Sequence, residues 1–305
     1  MLPNFVGVII PNYITPKFLY TRFDHSLVVA HMTWHFTHNK IETIAALLHD
    51  IGTPCFAHCI DYVFGDFLNQ ESSKKDIIEI IKKDKDLLKC LEKDNITINS
   101  LKDLSLYPIL ENKSPKLCTD RLDGVLHTCY IWLHTHALEE IKEVYDDLTL
   151  LINEEGRKEL GFKTVNIALK FVSMVQIYAK ELQGNKDKYV MKYISEVVGK
   201  AYKKGWITID DLYTKPEKEI ITILSSYIPP FFKFRKATNV IGCKQKPIGF
   251  FISFATKKRN VIPLVRIRDK GKRITDVSKE ARQDYTVLEQ YQDEPYAYIE
   301  TIQEI

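Results

Sequence analysis

Through the first two thirds of the chain, apolar and polar positions alternate with the period of helices. From Ser26 to about His38, the residues Leu27, Val28, Ala30, Met32, Trp34 and Phe36 predict a largely buried helix with His25 at its first turn. The run IETIAALLHD over 41–50 predicts a second buried helix, stopped by Gly52 and Pro54. A third is expected from near Cys55 to about Phe64. Residues 71–93 are lysine-rich, with Ile77, Ile78, Ile81, Leu87, Leu88 and Leu91 spaced for a pair of surface helices or one long helix. After the loop Asn112–Pro115 the pattern predicts a long helical segment over 116–145, then helices over 164–182, 187–204 and roughly 210–226. Residues 1–21 carry three prolines and read as an extended lead-in.

Near Pro229-Pro230 the pattern shifts to period-two and short apolar runs punctuated by Gly and Pro. FFKFRKA, IGFFISFA and NVIPLVRIR predict strands there. The expected fold is mainly α: a helical core over 1–150, a helical extension over 151–232, and a smaller β-rich, basic C-terminal lobe over 233–305 that ends in an acidic tail. No internal repeat at solenoid periods is evident.

Composition adds limits. A chain that is 45% hydrophobic and 27% charged is globular rather than disordered. No window approaches the roughly 20 apolar residues of a spanning helix. The run Phe5 to Ile10 is short, lacks a preceding basic residue and meets Pro11, so it reads as neither signal peptide nor anchor. A cytoplasmic protein with no membrane partner is expected. The six cysteines form no CxxC pair and read as free, mostly buried thiols.

Charge is uneven. Lys233 to Arg273 holds thirteen Lys and Arg against Asp269 alone, whereas Asp276 to Ile305 holds eight acids against two bases. The basic segment can attract a phosphate-rich partner, nucleic acid included, or it can be a solvated strand surface neutralised by the tail. Both readings stay open.

Histidine is more uneven still: all nine lie between His25 and His136. His25 at a helix start, the adjacent His49-Asp50 and the distant Asp120 form a mixed imidazole and carboxylate pattern. Such a pattern suits divalent Mn, Mg, Fe, Ni, Co or Zn. His49-Asp50 is a polar pair ending an apolar run, and buried groups of this kind need partners. The alternative is a satisfied core histidine beside a carboxylate that caps the turn at Gly52.

Three ordered stretches decide between these. Thr21-Arg22-Phe23-Asp24-His25-Ser26-Leu27, then Leu47 to His58 (LLHDIGTPCFAH), then Thr119-Asp120-Arg121-Leu122-Asp123 resemble the HD-domain superfamily of phosphohydrolases. Within it, the likeness is to the deoxynucleoside triphosphate triphosphohydrolase branch, and it covers roughly residues 1–145. The resemblance implies an HD-domain helical core and a divalent metal held by His25, His49, Asp50 and Asp120. It implies phosphate contacts from Arg22 and Arg121, and it places His58 beside the site. The implied reaction is hydrolysis of a nucleotide or related phosphate ester or anhydride by metal-activated water.

Four positions depart from that branch's pattern. The histidine after the HD-x-Gly element is Thr53. The catalytic His of a His-Glu pair is Gln70, followed by Glu71. The aromatic that packs on the nucleotide corresponds to Gly124, and the carboxylate that reads the sugar hydroxyl corresponds to Thr128. Glutamine is no general acid. His58, Glu71 and His127 are therefore the candidate proton-transfer groups, His127 lying seven residues after Asp120 on one helix face. Two further classes remain: a phosphodiesterase or nuclease on the same scaffold, and a non-catalytic nucleotide or nucleic-acid binder. Members of the superfamily often oligomerise, which leaves a homo-oligomer open.

Overall fold

The computed structural model describes residues 17, 20–70, 72–237 and 239–305. Most of the expected lead-in, the Phe5 to Ile10 run and Glu71 lie outside the described residues. The fold is mainly α with a smaller β-containing region, as the pattern predicts.

The first helix, α1 (Arg22–Thr37), starts where its sequence dictates. Thr21 is the N-cap, its hydroxyl accepting from Asp24 N while the Asp24 carboxylate accepts from Thr21 N. This box fixes His25 on the first turn. Helix α2 (Lys40–Leu48) is capped by Asn39 and packs against α1 as an antiparallel hairpin. Helix α3 (Cys59–Val63) begins four residues later than the pattern predicts. Pro54 to His58 is spent on turns in which Phe56 and Ala57 take positive φ (63° and 45°), so no helix can start there. The lysine-rich stretch is a pair, α4 (Ile77–Lys83) and α5 (Lys85–Lys93). Asp84 ends the first and caps the second.

The expected long helix over 116–145 is broken. Helix α6 (Thr119–His127) runs into a π-helical turn over Thr128–Trp132, and α7 (Leu138–Asp146) follows separately. Between them His134 is exposed at φ 54°, so the face shared by Asp120 and His127 does not extend to it. Two long central helices, α8 (Val165–Gln183) and α9 (Asn185–Lys203), match the predicted spans closely.

A hairpin of β1 (Leu148–Ile152) and β2 (Lys158–Phe162) precedes α8, within a stretch for which the periodicity predicts no strand. Gly156 at φ 74° closes its turn. After α9 come α10 (Asp211–Thr214), α11 (Glu217–Tyr227) and α12 (Pro229–Phe234). Helix α12 corrects the strand expected at FFKFRKA. The two prolines occupy the first helical turn, where their missing N–H groups cost nothing, and Phe231 and Phe234 then share one buried face.

The C-terminal region holds β3 (Ile241–Cys243), β4 (Phe251–Ile252), β5 (Leu264–Ile267), β6 (Lys270–Arg273), α13 (Ile274–Val277), α14 (Lys279–Gln290) and β7 (Tyr296–Tyr298). IGFFISFA contributes only the short β4, whereas NVIPLVRIR contains β5. Two sheets form, in strand order β1-β2-β5-β6 and β3-β7-β4. β5 joins β2 in parallel, so the basic C-terminal segment is built into the same sheet as the 148–162 hairpin.

Two large apolar clusters fill the interior. One lies between α3, α9, α11, α12 and the small sheet, and the other between α6, α8, the four-stranded sheet and α14. Cys55, Cys59, Cys118 and Cys129 are buried free thiols, Cys243 is half-buried and Cys90 exposed. Among the described residues no helix is long and apolar enough to cross a membrane.

Candidate metal centre

Three elements bring the candidate ligands together. α1 carries His25, the end of α2 carries His49 and Asp50, and the first turn of α6 carries Asp120. Buried polar groups hold these elements in register. Thr33 of α1 bonds Thr119 of α6 through their hydroxyls (2.9 Å), one residue from Asp120. The buried Glu42 carboxylate of α2 accepts from Ile109 N and Leu110 N (3.2 and 3.3 Å) and so fixes the approach to α6.

His25 Nε2 lies 3.1 Å from Asp120 Oδ1 and 4.0 Å from Asp50 Oδ2. His49 Nε2 lies 3.6 Å from Asp120 Oδ1 and 3.7 Å from Asp50 Oδ2. Ligand atoms of His25, His49 and Asp120 all fall within 4.8 Å of one another. Asp50 stands at the edge of this group, drawn toward Arg22, with Lys74 Nζ at 3.3 Å and Thr53 Oγ1 at 3.2 Å from its Oδ1.

The chemistry of this donor set fits a divalent cation. His49 Nδ1 donates to the Ala46 carbonyl (2.7 Å), and its buried Nε2 has no hydrogen-bond partner among the described residues. Two carboxylates facing that one nitrogen require a cation between them. Either a proton or a metal ion answers the requirement. Burial opposes the charged form of His49, but Asp50 and Asp120 outweigh it and lift the imidazole above its usual range. In His25 the same opposition is overcome by hydrogen bonds to Asp120 and Asp123, which push it up to about 10. Burial would raise Asp50, yet Arg22, His49 and Lys74 hold it well below the usual carboxylate range. Asp120 is held down likewise by His25 and His49. The two carboxylates are thus held in the ionised form a metal needs, whereas the two imidazoles hold protons that a metal would have to displace.

Behind His25 lies a second set of ligand types, with Asp123 and His127. It is closed by direct bonds rather than open to an ion. Asp123 accepts from His25 Nδ1 (2.6 Å), from His127 Nδ1 (3.1 Å) and from Tyr20 OH (2.9 Å to each oxygen). Asp123 thereby fixes the His25 ring with Nε2 toward Asp120, the carboxylate–histidine arrangement typical behind metal ligands.

Arg22, His58, Gln70, Arg121 and His127 line a cavity of about 1000 Å³ that the metal centre also lines. Arg22 pairs with Asp50, not with its neighbour Asp24, and its buried Nε and Nη2 have no partner among the described residues. His58 lies at the start of α3, with Nδ1 2.9 Å from Asp61 Oδ2. Asp61 is buried and also accepts from Ser73 N (2.7 Å). Burial lowers the His58 pKa, and the charges of Arg259 and Arg22 add to that. Arg121 commits Nε to the Lys116 carbonyl (2.9 Å) and Nη2 to Asn112, so it braces the 112–116 loop at the cavity wall. His127 ends α6 with its ring against Tyr20 and Trp132. Gln70 is buried at φ 60°.

Several cavity residues are not evident from local pattern. Lys74 arrives from the lysine-rich stretch because its backbone passes against Gly52, where Lys75 N donates to Gly52 O (2.9 Å). Asp61 and Arg259 are ordinary residues until the fold places them beside His58 and Gln70. Tyr178 of α8 stands over Gly124, its hydroxyl 3.6 Å from where a Cβ would be. An aromatic is thus present at that wall, supplied by another helix. Of these, Asp61 alone carried a signal, three residues after His58 in a helical stretch.

No family model matches this chain. It is similar to the uncharacterized protein YdhJ of Bacillus subtilis, with 28% identity over 216 residues, 69% of this chain and 63% of that protein. It is also similar to the metal-dependent phosphohydrolase cns2 of Cordyceps militaris, with 25% identity over 222 residues, 71% of this chain and 62% of that protein. The chain therefore spans about three fifths of the length of these curated relatives. Among solved structures, a hypothetical protein from Aquifex aeolicus superposes with a TM-score of 0.57 over 97% of this chain and 87% of that one, at 15% identity. That last likeness is one of fold alone.

Proposed function

We propose that this protein is a metal-dependent phosphohydrolase of the HD type, acting on a nucleotide or related phosphate ester or anhydride. The observation that carries the reading is the buried His49 Nε2 between two carboxylates, beside an arginine, with His49 Nε2 and the arginine's Nε and Nη2 unpartnered among the described residues. The similarity to cns2, named a metal-dependent phosphohydrolase, points the same way. So does the likeness of the TRFDHSL, HDIG and TDRLD stretches to the triphosphohydrolase branch.

His25, His49, Asp50 and Asp120 would hold the ion. When bound, it would lower the pKa of water and offset charge on a phosphoryl oxygen. The chain's own residues do the rest. Arg22 presents a planar fork that matches phosphate oxygens. His58, held by Asp61 and lowered in pKa, lines the same cavity and would pass a proton at Nε2 to or from a leaving oxygen. This makes His58 the group that takes over where the branch has a histidine and this chain has Gln70. His127 bonds Asp123 and so supports His25 through it. Tyr178 offers a face for the organic part of the substrate where Gly124 leaves room.

The test is turnover by purified protein with Mn or Mg against a panel of nucleoside mono-, di- and triphosphates, phosphate monoesters and diesters. Release of phosphate, pyrophosphate or triphosphate that disappears in Asp50→Ala is expected. A panel without turnover under any divalent metal overturns the reading, and cleavage confined to diesters converts it to a phosphodiesterase.

A further inference from the structure

Residues 253–263 form neither helix nor strand, yet nearly every residue from 256 to 262 is fastened. Thr256 Oγ1 bonds Tyr62 OH (2.9 Å), Lys257 Nζ donates to Asn69 O (2.7 Å) and Lys258 Nζ to Tyr291 O (3.0 Å). Gln183 Nε2 donates to Arg259 O (3.3 Å), Ser114 Oγ to Asn260 O (3.0 Å), Tyr285 OH to Val261 O, and Ile262 N to Pro115 O (2.7 Å). The anchors come from α3, α8, α14 and the loops on either side of the cavity. This strap from the C-terminal lobe forms part of the cavity wall. A backbone pinned so thoroughly gives any side chain it carries a fixed direction at little further entropy cost.

What the strap carries is three consecutive cations, and Arg259 differs from Arg22 and Arg121. Arg22 is engaged with Asp50, and Arg121 with the 112–116 loop. The partner of the Arg259 guanidinium among the described residues is the side-chain oxygen of Gln70, a neutral group. Gln70 itself is buried, sits in the left-handed region at φ 60°, and has its amide nitrogen 3.5 Å from both Tyr62 OH and Thr256 Oγ1. A carboxylate at position 70 would quench the arginine, whereas an amide orients it and leaves its charge in place for an anion. That charge reaches into the site: it acts on His58 together with Arg22, and on Tyr178 together with Arg121. His58 is therefore under the influence of two arginines, one from α1 beside the metal ligands and one from the strap.

We propose that Arg259 is a phosphate-binding residue of this cavity and that Gln70 is its positioning residue, the pair taking a second phosphate group of a substrate whose reacting phosphate lies at Arg22. The ligand class is a chain of two or more linked phosphates, free or carried by a nucleoside. The inference rests on the phosphohydrolase reading above, and it assigns Gln70 a task other than the proton transfer it cannot perform.

The experiment is equilibrium binding of orthophosphate, inorganic tripolyphosphate and a set of nucleoside triphosphates to the full chain freed of metal, so that no turnover intervenes. Arg259→Gln should weaken tripolyphosphate about tenfold or more, the size of a lost charge-assisted pair, with orthophosphate changed less than about twofold. Arg259→Lys, which keeps the charge, should lose less than Arg259→Gln. Gln70→Leu should weaken tripolyphosphate severalfold, and should add nothing in the Arg259→Gln background, a non-additivity that a merely structural role of Gln70 would not produce. Arg266→Gln, on the exposed face of β5, is the control and should stay within about twofold. A nucleoside triphosphate binding more tightly than tripolyphosphate identifies the nucleotide as ligand, and equal affinities identify the phosphate chain, provided both respond to Arg259→Gln. The proposal is overturned if wild type does not bind tripolyphosphate, if Arg259→Gln leaves its affinity unchanged, or if Arg266→Gln lowers it equally. Asp50-dependent turnover with tripolyphosphate affinity indifferent to Arg259 would overturn this inference alone. Arg259-dependent binding without any turnover would overturn the phosphohydrolase reading alone.

Discussion

Replacing Gly52 with alanine puts one carbon into a space the backbone already occupies. A Cβ there would lie 2.3 Å from the Lys75 carbonyl oxygen and 3.1 Å from its carbon. That is about 1 Å inside ordinary van der Waals contact, and the obstacle is backbone, which cannot rotate away. The segment at 73–75 has to move. Its movement breaks the Lys75 N to Gly52 O bond (2.9 Å) and carries Lys74 away from Asp50. Overpacking of this kind costs roughly 1–3 kcal/mol and the lost hydrogen bond about 1 kcal/mol, so about 2–4 kcal/mol in all. For 305 residues unfolding in one transition, with about 2.1 cal/mol/K of entropy per residue, Tm should fall by about 3–6 °C. Differential scanning calorimetry on Gly52→Ala measures this, and Lys74→Met separates the two contributions. The latter removes the ion pair without disturbing the backbone and should cost no more than about 1 kcal/mol. A Gly52→Ala protein that melts with wild type would refute the close-approach argument. A Lys74→Met protein that falls equally far would assign the loss to the ion pair instead.

Two other expectations follow from buried carboxylates. Asp123→Asn removes the charge that orients His25 and holds His127 and Tyr20, so divalent metal affinity should fall about 10–100-fold, measured by competition with a chelating indicator. Unchanged affinity would mean that His25 needs no such support. Glu217 is the second: burial pushes it up to about 7, against 4.5 for the free side chain. A carboxyl raised in the folded state favours folding fully below pH 4.5 and loses that contribution as pH rises to about 7, here up to about 3 kcal/mol. Glu217→Gln should therefore gain in Tm relative to wild type between pH 5 and pH 8, and a difference that stays constant with pH would contradict the assignment.

How much of this was legible in the sequence depends on how local each signal is. His25 follows a capping box written in Thr21 and Asp24, so its place on the first turn of a helix can be read directly. His49-Asp50 stands at the end of an apolar helix where two polar groups are out of place without a partner. Asp120 sits at the start of α6, within a stretch that resembles a known motif. The central helices α8 and α9 show strong 3.6-residue periodicity over 19 residues each, and their predicted bounds hold. Where local and tertiary forces diverge, the reading stops. FFKFRKA alternates like a strand, but two prolines and a pair of buried phenylalanines make it a helix. Lys74 looks like one more surface lysine until Gly52 draws its backbone in. Arg259 belongs to a basic run whose composition fits equally a solvated surface and a polyanion site, and only the fastening of the strap distinguishes its side chain from those around it. Tyr178 reaches the wall beside Gly124 from a helix more than 50 residues away in sequence, which no spacing rule would reveal.

The central claim is that an ion binds between His49 and the two carboxylates. Titration of metal-free protein with Mn, Fe, Co, Ni and Zn, followed by calorimetry and by elemental analysis of the dialysed complex, tests it most directly. The account predicts stoichiometric binding of at least one of these ions, weakened about a hundredfold or more in His49→Ala and in Asp120→Ala. No binding of any of them by wild type, or equal binding by His49→Ala, would contradict it.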